Sequence, residues 1–309
     1  IKSEILSRQF GFTKIISFIC IILFIGINFE ESTEASSYFK WGSPSFIDIF
    51  SGHYWGLITS NFLHTNFFHL AFNLYWFFGF SKKIEQEESK ATYLLLIVGS
   101  AIISSLAQLG FGNSTGIGLS GVVYAFFGYI TISERTNPAY NNYINKDTKI
   151  LFIAWLFICI ILTRYDVLQI GNSAHFAGIF FGIALALTTN YGKIFQFSIS
   201  TLTVLVLASA IICYPYNTTY PSYQAFTHHL NKQYKLAEEK YELVLSRNKD
   251  DAWAKDNLLQ MKIHTLSEKA YQLHNEQKLS EAMLIYDEIL RLDPSNEWAK
   301  DSKELILKD

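Results

Sequence analysis

No run of lysines or arginines occurs in the chain, and its formal charge is only −2. The basic stripe that phosphate binding requires is therefore missing, and nucleic acid is excluded as a partner. Cysteine is scarce too: Cys20, Cys159 and Cys213 lie far apart, each in an apolar stretch. None has metal-ligand spacing or a partner in a soluble segment, so all three read as small buried hydrophobes. His53, His228, His229, His264 and His274 likewise lack a metal-ligand partner at a fitting spacing, and the adjacent pair His228-His229 cannot share a helix face. They are expected to be solvated or packed, and neither a metal nor an organic cofactor is expected. Charge is scarce before about Tyr214 and crowded after it, although half of all residues are hydrophobic. The chain thus divides into an apolar part and a soluble part. No small-residue cleavage motif follows the first apolar run, which is expected to be a retained span. The chain opens on Ile1 rather than Met, so sequence preceding it is expected.

A membrane-spanning helix needs roughly 20 mostly apolar residues, fewer where the bilayer is locally thinned. Seven segments qualify, at about 12–29, 67–80, 93–111, 120–133, 149–165, 173–190 and 196–214. The second and fourth are short, as expected of helices in a protein interior. Basic residues collect at Lys2, Arg8 and Lys14, at Lys82, Lys83 and Lys90, at Arg135, Lys146 and Lys149, and at Lys193. These alternate with loops poor in them, so the positive-inside rule makes the basic ends cytoplasmic. The loop 30–66 instead carries Glu30, Glu31 and Glu34, then Trp41, Tyr54 and Trp55, which suit the outer interface. An odd number of spans leaves the C-terminal part, 221–309, outside the cytoplasm.

That part is amphipathic and repeats itself. Ala237, Tyr241, Leu245, Trp253 and Ala254 recur as Ala282, Tyr286, Leu290, Trp298 and Ala299 at a constant offset. Tyr234-Lys-Leu-Ala-Glu-Glu-Lys-Tyr and Leu279-Ser-Glu-Ala-Met-Leu-Ile-Tyr resemble the second helix of tetratricopeptide repeats, and Leu292-Asp-Pro-Ser-Asn resembles their exit. The offset is longer than the ordinary repeat, so extra helix is expected between the units. The resemblance implies a protein or peptide ligand on a concave helical surface; a small helical cap without a ligand fits the same pattern.

Ionisable and hydroxylic residues inside a bilayer are costly and mark functional candidates. His69 and Asn73, four apart at the outer end of the second span, share a helix face. Ser120 lies in Gly116-Ile-Gly-Leu-Ser-Gly121 at the entry to the fourth span, and His175 in Asn172-Ser-Ala-His at the entry to the sixth. Spans two, four and six all run from outside inward, so the four side chains fall at similar depth. A serine hydroxyl needs a base to become a nucleophile, and a neutral imidazole is the usual one. Gly118 and Gly121 permit a tight turn into the helix. Gly178 and Gly182 follow His175 on its own face, and small residues let membrane helices approach closely. The fourth and sixth spans are therefore expected to touch, with Tyr124 against His175, Ser120 within hydrogen-bond reach of His175, and His69, Asn73 and backbone N–H groups facing the oxyanion. His64 reads as a structural residue of the loop.

Gly118-Leu-Ser-Gly-Val-Val-Tyr124 resembles the nucleophile motif of the rhomboid family, Ala174-His-Phe-Ala-Gly-Ile-Phe-Phe-Gly182 its base motif, and His64 through His69-Leu-Ala-Phe-Asn73 its oxyanion segment. The resemblance covers about residues 10–190. It implies an all-α polytopic bundle: a six-helix core at 1–195, a seventh span at 196–214, and the helical repeat domain at 221–309. It also implies a Ser–His dyad, no cofactor, and cleavage of single-pass transmembrane proteins near the outer face of the bilayer. The location implied is a bacterial plasma membrane, in which the triplet Asn217-Thr-Thr carries no glycan. The family often has Trp-Arg in its external loop, where this chain has Trp55-Gly56, which bears on a loop contact rather than on catalysis. The competing class is a non-proteolytic rhomboid-like scaffold that binds clients through its core and repeats; it has no need of Ser120 and His175 in their glycine settings.

Overall fold

The computed structural model describes residues 11–30, 35–112, 114–190 and 217–308. The expected seventh span and Cys213 lie outside them. Fourteen α-helices and no strand occur among the described residues, divided between two compact units, Ile1–Thr219 and Tyr220–Asp309.

The first unit contains α1 (Gly11–Asn28), three short helices α2 (Ala35–Lys40), α3 (Phe46–Phe50) and α4 (Gly56–Thr59), then α5 (Phe67–Glu87), α6 (Lys90–Phe111), α7 (Ser120–Ser133), α8 (Lys146–Arg164) and α9 (Asn172–Asn190). Three of these, Gly11–Asn28, Lys90–Phe111 and Asn172–Thr189, are long and apolar enough to cross a membrane. Large apolar side chains point outward along α1 (Ile15, Phe18, Ile22, Ile25) and α8 (Ile150, Ile153, Phe157, Ile161). At helical spacing, such stripes suit lipid and not water. The chain is a multi-pass integral membrane protein.

Sequence sets the helix boundaries. Asn66, Ser89 and Asn145 cap α5, α6 and α8 through their side chains, satisfying N–H groups that a helix start leaves unpaired. α7 is different: Leu119 precedes it and offers no side-chain cap. At 14 residues it reaches only about 21 Å, short of a bilayer core of about 30 Å. Every residue from Gly121 to Ile130 is buried, so protein rather than lipid surrounds α7, with Phe77 and Phe126 stacked at 5.7 Å and Phe127 and Phe152 at 4.6 Å.

At the basic end of the bundle, Glu85 of α5 accepts from the backbone N–H groups of Phe12 and Thr13, each at 2.9 Å. The Thr13 hydroxyl meets Ser81 at 2.7 Å, and Ser81 meets the Tyr93 hydroxyl at 2.7 Å. In the loop between α1 and α5, Gly56 is buried and a Cβ there would collide with the Pro44 ring and lie 2.9 Å from Ile49 Cδ1. Pro44 fills the space that a side chain at position 56 would need. The loop is held instead by the Ser45–Asp48 capping box and by edge-on packing of Phe39 against His53 and Trp55.

The second unit begins within α10 (Thr219–Leu230) and continues through α11 (Tyr234–Arg247), α12 (Ala252–Asn275), α13 (Leu279–Leu292) and α14 (Glu297–Lys308). Its geometry recurs at an offset of 45 residues, as from Ala237 to Ala282. Lys232 and Gln277 both adopt positive φ, 58° and 62°. Tyr241 packs on Trp253 and meets His229; Tyr286 packs on Trp298 and meets His274. Asp251 and Asn296 each accept from the N–H three residues on. Between the two recurring parts, α12 is continuous over 24 residues.

Candidate functional site

The loop from Gly112 to Leu119 crosses from the end of α6 to the start of α7. Gly116 and Gly118 both have positive φ, +77° and +103°, a region that residues with a Cβ rarely enter. At Gly118 a Cβ would also lie 2.5 Å from Cε1 and 2.8 Å from Nε2 of His69, and 3.3 Å from Nε2 of His64. Glycine thus lets the backbone pass directly over two imidazoles, whose rings are 5.0 Å apart. The Gly118 N–H donates to the Ser60 carbonyl at 3.3 Å. The Leu119 N–H donates to His64 Nε2 at 3.3 Å, and His64 Nδ1 sits 3.2 Å from the Phe62 carbonyl. Accepting at Nε2 requires His64 to be neutral, with its proton on Nδ1 directed to Phe62. His64 is fully buried, and burial, with the neighbouring His69 second, lowers its pKa to about 3.

Ser120 opens α7, and His175 lies in the first turn of α9. His175 Nε2 is 2.8 Å from Ser120 Oγ. The His175 ring is buried and lies 4.8 Å from the Tyr124 ring, tilted by 35°, while the Tyr124 hydroxyl donates to the Phe152 carbonyl at 3.2 Å. No partner reaches the buried His175 Nδ1 among the described residues. If Nε2 accepts from the serine hydroxyl, Nδ1 carries the ring proton without a carboxylate behind it.

Close contact between α7 and α9 makes this approach possible. A Cβ on Gly178 would strike the Gly121 carbonyl, one on Gly182 the Ala125 carbonyl, and one on Gly128 would lie 2.7 Å from the Ile179 carbonyl. Gly121 also packs on Ser104 of α6, where a Cβ would be 2.5 Å from the hydroxyl. Backbone lies on backbone along this seam, a separation only glycine allows.

Ser120, His175 and Tyr124 are thus brought together, with His69 against the loop. Asn73 is buried one turn deeper on α5, and its Nδ2 donates to the His69 carbonyl at 3.0 Å; one N–H of that amide is engaged within its own helix, and the other remains for a second partner. Sequence reasoning missed Gln108. Its Oε1 accepts from the Ser173 hydroxyl at 2.5 Å, two residues before His175, and its side chain lies against Gly116 and Gly171. A polar residue in the last turn of an otherwise apolar span was the available signal. Asn217 is 91 % buried with its Nδ2 on the Gly110 carbonyl at 3.0 Å, so its amide has no room for a glycan.

Residues 51–192 match the Rhomboid domain, a segment that contains every residue of this site. The chain is similar to the rhomboid protease GlpG of Photorhabdus laumondii, with 28% identity over 191 residues, 60% of this chain and 64% of the relative. It is similar also to the rhomboid protease GlpG of Salmonella paratyphi A, with 26% identity over 176 residues, 56% and 61% of the two chains. The chain spans less than two thirds of the length of these relatives.

Proposed function

We propose that the chain is a rhomboid-type intramembrane serine endopeptidase that cleaves single-pass transmembrane proteins near the outer face of the bilayer. The observation that carries this reading is the 2.8 Å approach of His175 Nε2 to Ser120 Oγ inside the segment matching the Rhomboid domain. Ser120 Oγ bonds to the scissile carbonyl carbon while its proton passes to His175 Nε2. The C–N bond then breaks as the same imidazole returns that proton to the leaving amine, and water hydrolyses the acyl-enzyme by the reverse relay. The oxyanion has donors in the N–H groups at the uncapped start of α7, in His69, and in the second N–H of the Asn73 amide.

The same reading makes the second unit extracytoplasmic. The basic side chains lie at the α1 start, the α5 end and the α8 start, and α6 runs away from them. Asn217 and Thr219 bond to the end of α6 and the residue after it, and that end is the one opposite the basic side chains, which supports this reading. The unit's repeat, similar to tetratricopeptide helices, supports a protein or peptide ligand. The test is direct: protein purified with Ser120→Ala, free of host proteases, is expected to leave a single-pass membrane substrate uncut that the wild type cleaves. Cleavage at the wild-type bond would overturn the reading.

A further inference from the structure

We infer that Asn217 and Thr219 are positioning residues for the reaction, clamping the end of α6 from which the Ser120 loop departs; the inference rests on the dyad reading above. A helix ends with carbonyls that have no intrahelical donor. In α6 the Gln108 carbonyl accepts from the Gly112 N–H at 2.8 Å. Two further oxygens at this end, those of Gly110 and Gly112, are met by side chains more than a hundred residues along the chain. The Thr219 hydroxyl lies 2.6 Å from the Gly112 oxygen and 3.1 Å from the Leu109 oxygen, and Asn217 Nδ2 donates to the Gly110 oxygen at 3.0 Å. A hydroxyl has one proton, and the shorter contact assigns it to Gly112. Asn217 Oδ1 accepts from the Thr219 N–H at 2.7 Å, so each side chain fixes the other, and Thr219 is 99 % buried.

The clamp bears on both members of the dyad. Gly112 begins the loop whose far end is set by Ser60 and His64, so Thr219 anchors the end those residues do not. One residue before Leu109, Gln108 accepts from Ser173 at the head of α9. The end of α6 therefore sets where Ser120 and His175 meet. A displacement of about 1 Å at a reacting group can cost on the order of 100-fold in rate.

The test compares full-length variants on one transmembrane substrate, with Ser120→Ala alongside. Thr219→Val keeps the shape and deletes the hydroxyl; kcat is expected to fall about 10- to 100-fold with KM unchanged. Thr219→Ser is expected to restore wild-type kcat. Asn217→Asp keeps the acceptor for the Thr219 N–H and removes the donor to Gly110, and the same loss of kcat is expected; it decides the matter if Thr219→Val does not fold. The role is overturned if these variants cut at wild-type kcat while Ser120→Ala is inactive, or if Thr219→Ser is as slow as Thr219→Val at an unchanged unfolding temperature. An active Ser120→Ala protein would overturn the dyad, and this role with it.

Discussion

The proposed dyad rests on the 2.8 Å approach of two atoms, Ser120 Oγ and His175 Nε2. Ser120→Ala and His175→Ala are each expected to abolish cleavage, and the double variant to be little worse than either, because groups acting as one unit lose their effect together; kinetics of all three check this. Asn73→Ala is expected to be milder, lowering kcat by about 100- to 1000-fold, the usual cost of one oxyanion donor. Cleavage should also fall in acid, since a protonated His175 cannot accept the serine proton. His64 acts through stability instead. Its pKa is lowered from 6.5 to about 3, so between those values the unfolded chain binds a proton that the native protein does not. Its contribution is complete above about pH 6.5 and is lost as pH falls toward 3. In detergent, unfolding resistance should fall over that window, and His64→Gln should flatten part of the slope.

Among the elements, the α7–α9 seam and the α1–α5 junction carry the sharpest constraints. Gly178→Val or Gly182→Val would drive a side chain into a facing carbonyl and is expected to destabilise the bundle by at least the roughly 1–3 kcal/mol typical of overpacking, with loss of cleavage. Gly79→Ala is the contrast: nothing lies within 4 Å of a Cβ there, and removing a helical glycine should stabilise by about 0.5–1 kcal/mol. Thermal unfolding of the variants side by side checks both. Glu85→Ala would leave the Phe12 and Thr13 N–H groups without their acceptor. Release of α1 should show as earlier unfolding with little change in kcat. The six main helices of the first unit were legible in the sequence because hydropathy and capping residues are local properties. The division of labour among them was not: α7 and α9 carry similar apolar runs, yet α7 is enclosed and α9 presents Phe180 outward.

For the molecule as a whole, the expected topology makes a cysteine placed at an exposed position of the second unit, such as Lys235, reactive to a membrane-impermeant thiol reagent in intact cells; labelling only after lysis would reverse it. The clamp sharpens a truncation experiment. Chains ending a few residues beyond Thr219 should keep their activity on an unstable generic substrate, whereas chains ending near Pro215 should be slower because Asn217 and Thr219 are gone. The sequence by itself determined where the apolar helices lie, that His69, Ser120 and His175 sit in the first turns of three of them, and that the last third repeats. Those properties follow from residue type and covalent order. Only the tertiary structure decided that Asn73 spends one N–H on His69, that His64 accepts from Leu119, that Gln108 ties Ser173 to the loop, and that Asn217 is buried on α6. Each is a directional contact of about 3 Å, most between residues more than fifty apart, and residue type names a donor or an acceptor without saying which partner the folded backbone brings to it.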